Sequence, residues 1–177
     1  FKITPIKSID ELRKEAERSN PPLGNSKSEK FDLIEIKSID KSIKYDIQYA
    51  SENNFMGSKF YKTSNAFLQR PAAEALKRVN EKLRSYGFGL LIHDAYRPWY
   101  VTKMFWDATP EDKKIFVANP QNGSRHNRGC AVDLTLYELS TGSPVEMVSG
   151  YDEFTERAFP YYYGGTTKQR SLRDLLR

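Results

Sequence analysis

From Gly129 onward the chain alternates. Cys130, Val132, Leu134 and Leu136 fall on one side of a two-residue period, and Ala131, Asp133 and Thr135 fall on the other. The pattern predicts a strand over 130–137 with one apolar face and a carboxylate, Asp133, on the opposite one. Ser140-Thr141-Gly142-Ser143 then turns the chain into 144–149, which predicts an antiparallel hairpin. Ile43, Tyr45, Ile47 and Tyr49 alternate with polar residues and predict a half-exposed strand, followed by a polar loop over 51–59 that could overhang a site. Arg70-Pro71 starts the clearest helix, with Leu76, Val79 and Leu83 as its buried stripe and Gly87 at its end. A short apolar strand over 89–92 follows. Pro98 opens a helix through Trp106, and Thr109-Pro110-Glu111-Asp112 caps a further one to Ala118. Ser8-Ile9-Asp10-Glu11 has the form of a capping box for a helix ending near Arg18, and 19–26 reads as a loop. Thr166–Arg177 reads as a helix with Leu172, Leu175 and Leu176 on one side.

Helices and strands in irregular order, with a hairpin at their centre, point to an α+β fold: a small antiparallel sheet with flanking helices. The expected organisation is an N-terminal extension with a short helix over 1–30 and a main domain over 31–177. A chain of 177 residues with 38% hydrophobic and 13% aromatic residues can bury a core without disulfides. Lys and Arg number 28 against 23 Asp and Glu, a net charge of +5 with no basic run and no nucleic-acid motif, so a nucleic-acid partner is not expected. The modest positive field favours anionic substrates or cell-wall surfaces. The lone cysteine, Cys130, cannot form an internal disulfide. By alternation it faces away from Asp133 and reads as a buried, inert thiol. No apolar run is long enough for a membrane span. Oligomeric state is not written in the pattern. The chain opens at Phe1 rather than at a methionine, which implies a removed start and favours a periplasmic over a cytoplasmic location.

Chemistry concentrates in two segments. In the first, 124–133, His126 stands in a polar loop and Asp133 follows seven residues later, on the predicted strand. A carboxylate in so apolar a strand needs a partner. His126 could supply it as a salt bridge, or the two could share a metal ion such as zinc, with Gly129 bending the chain between them. In the second, His93-Asp94-Ala95-Tyr96-Arg97-Pro98, Pro98 forces Arg97 into an extended conformation at a strand end. Arg97 could pair locally or present its guanidinium to a substrate.

The run Ser-x-His-x-x-Gly-x-Ala-x-Asp over 124–133 resembles the zinc signature of the D-alanyl-D-alanine dipeptidases of the vancomycin-resistance type and their relatives, with the zinc D,D-peptidase or Hedgehog-type fold. The resemblance covers roughly 33–177 and implies zinc, with His126 and Asp133 as two of its three protein ligands. Asp-x-Tyr-Arg-Pro over 94–98 resembles the dipeptidase motif whose arginine stabilises the charge on the attacked carbonyl, which implies a catalytic Arg97. The block Tyr49, Ala50, Asn54, Phe55 is similar to one whose Tyr lines the substrate pocket, and Asp152 matches an Asp that binds the substrate ammonium. Ser124 would offer its hydroxyl or backbone to the substrate carboxylate, or cap the loop. The implied activity is hydrolysis of a small D-amino-acid dipeptide, D-alanyl-D-alanine, to two D-alanines, in cell-wall recycling or glycopeptide resistance. The alternatives are a zinc D,D-carboxypeptidase or endopeptidase on peptidoglycan stems, and a non-catalytic module that binds wall peptides. One departure stands out: the family's catalytic Glu and third ligand share a Glu-x-Trp-His motif, which this chain lacks, its only histidines being His93 and His126. The expectation is a sequence cut short after Arg177. Replacing Arg97 by Ala is expected to spare folding and metal binding.

Overall fold

The computed structural model describes residues 2–23 and 31–177. Gly24, Asn25 and Ser26 of the expected loop lie outside the described residues. Nine residues form the first helix, α1 (Ile9–Glu17), started by Ser8, whose side chain accepts from the Glu11 N–H at 3.3 Å. Strands β1 (Leu33–Glu35) and β3 (Phe67–Gln69) form a two-stranded antiparallel ribbon. The main sheet has the order β2 (Lys44–Tyr45), β4 (Phe88–Asp94), β5 (Asp133–Glu138). Its β4–β5 pair is antiparallel as expected, and β2–β4 is parallel, so the sheet is mixed within an α+β fold. Helices α2 (Arg70–Arg84), α3 (Trp99–Ala108) and α4 (Thr167–Leu176) complete the frame. Among the described residues no helix is long and apolar enough to cross a membrane.

Two hydrophobic cores meet at the sheet's end. The first lies between α2 and the sheet, with Ile43, Leu76, Leu83, Leu90, Ile92 and Leu136 at its centre, and Leu172 of α4 joins it. The second collects α1, α3 and the 49–60 loop around Phe60, Leu12, Met104 and Phe105, with Ile3 of the N-terminal segment buried in it. The end of β4 emerges between them.

Several expectations are corrected. The stripe of α2 is Ala73, Leu76, Asn80 and Leu83, while Val79 is 46% exposed: three and seven residues on from Ala73 come Leu76 and Asn80, so the helix buries a polar residue and turns a valine outward. The expected strand over 43–49 is only Lys44–Tyr45, because the chain tightens into a 3-10 turn at Gln48–Ala50 that buries Tyr49. The return arm of the expected hairpin is a single bridge, Tyr137 to Pro144, since Pro144 has no N–H to extend a ladder. The segment after Pro110 is a 3-10 turn, Glu111–Phe116, rather than an α-helix. Cys130 is exposed, because the strand begins three residues later and its alternation does not reach back that far.

Asn80 explains its own burial. Strand β2 is too short to cover β4 as far as Leu90, so the Asn80 side chain accepts the Leu90 N–H at 2.9 Å in place of a neighbouring strand. Its amide donates to Asp40 Oδ2 at 2.8 Å and Ser42 Oγ at 2.9 Å. Asn80→Ala orphans a buried strand N–H and is expected to cost about 2–3 kcal/mol in denaturant unfolding. A loss below roughly 0.5 kcal/mol, the ordinary scatter of surface changes, would show that the bond does not hold β4.

Candidate active site

At the end of β4 the register against β5 slips: Ile92 pairs with Leu134, but Asp94 pairs with Asp133, leaving His93 as an extra residue in a bulge. Two carboxylates therefore stand directly across from each other, an arrangement that repels unless cations intervene. Arg97 is the first. Its Nη2 and Nε donate to Asp94 Oδ2 at 2.6 and 3.0 Å, and Nη2 lies 4.0 Å from Asp133 Oδ2. The Tyr61 hydroxyl donates to Asp94 Oδ1 at 2.6 Å, so both oxygens of this fully buried carboxylate are engaged. The guanidinium carbon lies 5.1 Å from the ring centroids of both Tyr49 and Phe105.

The loop before β5 is tied to the same segment. The Arg97 N–H donates to the His126 carbonyl at 3.1 Å, and Asn127 Nδ2 donates back to the Arg97 carbonyl at 2.9 Å and to Thr102 Oγ1 at 2.8 Å. Ser124 Oγ accepts the His126 N–H at 3.2 Å, so the structure shows the loop cap. Gly129 turns the loop in the left-handed region at φ 66, where a Cβ would lie 2.5 Å from Leu33 Cδ2. Its carbonyl accepts from the Gln69 N–H at 2.9 Å, fastening the loop to β3.

These ties aim the imidazole. His126 Nδ1 lies 2.8 Å from the Ala95 carbonyl, which accepts no proton-free nitrogen, so Nδ1 carries the hydrogen and Nε2 keeps its lone pair. That lone pair faces Asp133 Oδ1 at 3.6 Å, close to the roughly 3.3 Å between two ligands of one tetrahedral zinc. Burial pushes the Asp133 carboxyl above the usual carboxylate range; His126 and Arg97 oppose the push, and Asp94 adds to it. Asp94, His126 and Asp133 form a metal-competent cluster among the described residues, with ligand atoms within 4.8 Å of one another. Asp94 is nevertheless spoken for by Arg97 and Tyr61, and its nearest approach to His126 is to the protonated Nδ1, at 3.5 Å. The donor set that fits zinc is His126 Nε2 with Asp133.

Asp152 completes the group. It is the one non-glycine residue with positive φ among those described, at 50°, a conformation aspartate tolerates better than most. The buried Tyr49 donates its hydroxyl to Asp152 Oδ2 at 2.8 Å. Burial pushes the Asp152 carboxyl up to about 6, against the Tyr49 bond and with Asp133 adding to it. Tyr49 thus belongs both to the second core and to the site. Asn54 of the same block donates to the carbonyls of Ser51 and Ser58, each at 2.8 Å, and so folds the 51–58 loop beneath Tyr49. A cleft of about 820 Å³ runs past Asp133, Val148, Tyr151 and Asp152 to Arg173 of α4.

The structure therefore gathers Tyr49, Arg97, His126, Asp133 and Asp152. Sequence reasoning assigned no role to Asp94, Tyr61, Asn127 or Tyr151, whose hydroxyl lies 3.5 Å from Asp133 Oδ2. Asp94 was findable, since it follows Leu90-Leu91-Ile92 and raises the same question of an apolar strand's carboxylate as Asp133. The other three act through contacts distant in sequence.

Comparison with known proteins agrees with this geometry. Residues 29–177 match the family model described as D-ala-D-ala dipeptidase. A D-alanyl-D-alanine dipeptidase of Escherichia coli is 32% identical over 135 residues, 76% of this chain and 68% of that protein. One from Enterococcus faecium is 32% identical over 153 residues, 76% of each chain. One from Streptomyces coelicolor is 32% identical over 139 residues, 68% of this chain and 69% of that protein. A match over most of the chain, with the motifs' side chains brought within reach of one another, identifies the chain as a member of the D-Ala-D-Ala dipeptidase family of peptidases.

Proposed function

We propose that the protein hydrolyses D-alanyl-D-alanine to two D-alanines, with zinc held by His126 and Asp133. The observation that carries the reading is the convergence of His126 Nε2 and Arg97 on Asp133, 3.6 and 4.0 Å away, at the wall of the cleft that Asp133 shares with Asp152. Three carboxylates there face one guanidinium, and a divalent cation restores neutrality. Zinc, when bound, would supply Lewis acidity and a water acidic enough to yield a nucleophile near neutral pH.

The chain's own residues account for selectivity and for charge stabilisation. Nε and Nη2 of Arg97 are committed to Asp94, which leaves Nη1 for the oxygen of the attacked carbonyl. Asp94 and the two flanking rings hold that donor in place before the substrate arrives. Asp152 receives the free ammonium, steadied by the Tyr49 hydroxyl. A carboxylate at that point favours a free dipeptide over a peptidoglycan stem, whose corresponding nitrogen is an uncharged amide. Zinc's third ligand and the catalytic base have no counterpart of the family motif among these 177 residues, and His93 lies outside the metal-competent cluster.

The geometry revises what removing Arg97 should do. Arg97→Ala would leave Asp94 buried without its cation, a defect of about 3–5 kcal/mol, so loss of folding rather than clean loss of rate is expected. Arg97→Lys keeps a charge beside Asp94 but not the planar second donor. It should retain the parent's circular dichroism and lose about 100- to 1000-fold in kcat. A Lys variant within threefold of the parent rate would remove Arg97 from catalysis.

Asp152→Asn is expected to raise KM for the dipeptide by about 10- to 100-fold, the range of a charge-assisted bond. Binding of an N-acetylated dipeptide, which has no ammonium, should change far less. Equal losses on both compounds would place the ammonium elsewhere.

The same carboxyl sets a pH dependence. The ammonium needs the ionised form, so KM should climb as pH falls through about 6. Stability runs the other way. With the folded value raised from 3.8 to about 6, the stabilisation is fully present below 3.8 and is lost as pH rises through 6. Asp152→Asn should therefore melt higher than the parent at pH 8, with the difference gone at pH 3.5. A parent more stable at pH 8 would contradict the buried charge.

A further inference from the structure

Behind Asp152 the cleft adjoins a second cavity of about 380 Å³, and His93, Tyr151 and Asp152 border both spaces. The rest of the smaller cavity is lined by Lys2, Gln48, Asn53 and Asn54, with Phe55 as its apolar member. Two of these are already occupied. Gln48 Nε2 donates to Asp46, and Asn54 Nδ2 to backbone carbonyls of its own loop. The side chains of Lys2 and Asn53 make no hydrogen bond or ion pair among the described residues. His93 is held through Nδ1, 3.2 Å from the Asp46 carbonyl, which leaves Nε2 unengaged.

Lys2 is placed there by the fold. The Ile3 N–H donates to the Phe55 carbonyl at 2.7 Å, and the Ile3 side chain is buried in the second core. The N-terminal segment thus contributes a cation to a space beside the site, from outside the 29–177 span that the family model matches.

We propose that this cavity is the side-chain pocket for the substrate's amino-terminal residue and that it takes an acidic side chain. The inference rests on the proposed seat of the ammonium at Asp152. The α-carbon is one bond from that nitrogen, so its side chain begins at the wall the two spaces share. Extension through the nitrogen itself would remove the charge that Asp152 receives. A methyl group would leave most of 380 Å³ unfilled, whereas a glutamyl or aspartyl carboxylate would meet the Lys2 ammonium and the Asn53 amide. A basic side chain would find Lys2 and no unengaged carboxylate, since Asp152 already faces the ammonium.

The test measures kcat/KM for D-alanyl-, D-glutamyl-, D-glutaminyl- and D-lysyl-D-alanine with the parent protein and with Lys2→Glu. The glutamyl dipeptide should be cleaved within about tenfold of D-alanyl-D-alanine and about tenfold better than the lysyl one, with the glutaminyl one between. A partly solvated pair in place of a like-charge contact gives differences of that order. Lys2→Glu should invert the glutamyl-to-lysyl ratio. Equal rates for the glutamyl and lysyl dipeptides, or a ratio indifferent to Lys2→Glu, would overturn the pocket while leaving D-alanyl-D-alanine hydrolysis standing. Failure to cleave any of the four would instead overturn the proposed function, and the pocket with it.

Discussion

Asp94 is a fully buried carboxylate at the point where β4 leaves the sheet, and its ion pair with Arg97, 2.6 Å at the closest, is the contact around which the site is arranged. A buried carboxylate is tolerated only when its oxygens are matched by donors, and here the guanidinium and the Tyr61 phenol match both. The pair joins the two cores: Asp94 ends the strand that centres the first, and Arg97 lies against Tyr49 and Phe105 of the second. Packing on either side thereby fixes one donor of Arg97, and the backbone on either side of Arg97 grips the His126 loop. The proposed catalytic geometry and the integrity of the fold thus share one interaction.

The arrangement is electrostatically unfinished without a further cation. The β4–β5 register sets Asp133 across from Asp94, and the turn after residue 149 brings Asp152 up to the same guanidinium. One arginine cannot neutralise three carboxylates. The elevated pH ranges of the Asp133 and Asp152 carboxyls both originate in burial, with their carboxylate neighbours adding to it. An imidazole with Nε2 free and aimed at Asp133 supplies the other half of a metal's demand. In the proposed dipeptidase chemistry the cation and Arg97 would serve the carbonyl, and Asp152 the ammonium.

The local signals that sequence carries best are the ones the structure reproduces. Pro98 before α3 and Ser8 before α1 act through neighbouring residues, and each appears in its expected place; along β5 the expected alternation is blurred, with Leu136 and Tyr137 both buried. The motif residues His126, Asp133, Arg97, Tyr49 and Asp152 were legible because a family resemblance places them together; spacing alone left a salt bridge open. What stayed hidden depends on long-range partners. Asn80 reads as an ordinary polar helix residue until the shortness of β2 leaves the Leu90 N–H needing an acceptor. Alternation carried back to Cys130 fails because pairing, not pattern, decides where β5 begins. Tyr61, 33 positions from Asp94, could be found only in three dimensions.

In the proposed metal site His126 Nε2 and Asp133 converge on one divalent metal while Asp94 stays with Arg97. Anomalous diffraction at the zinc edge from crystals of the zinc-loaded protein tests it most directly. A single strong peak is expected within about 2.0–2.2 Å of His126 Nε2 and an Asp133 oxygen, with the Asp94–Arg97 pair intact. A peak ligated by Asp94 in place of Asp133, or zinc bound away from His126, would contradict it.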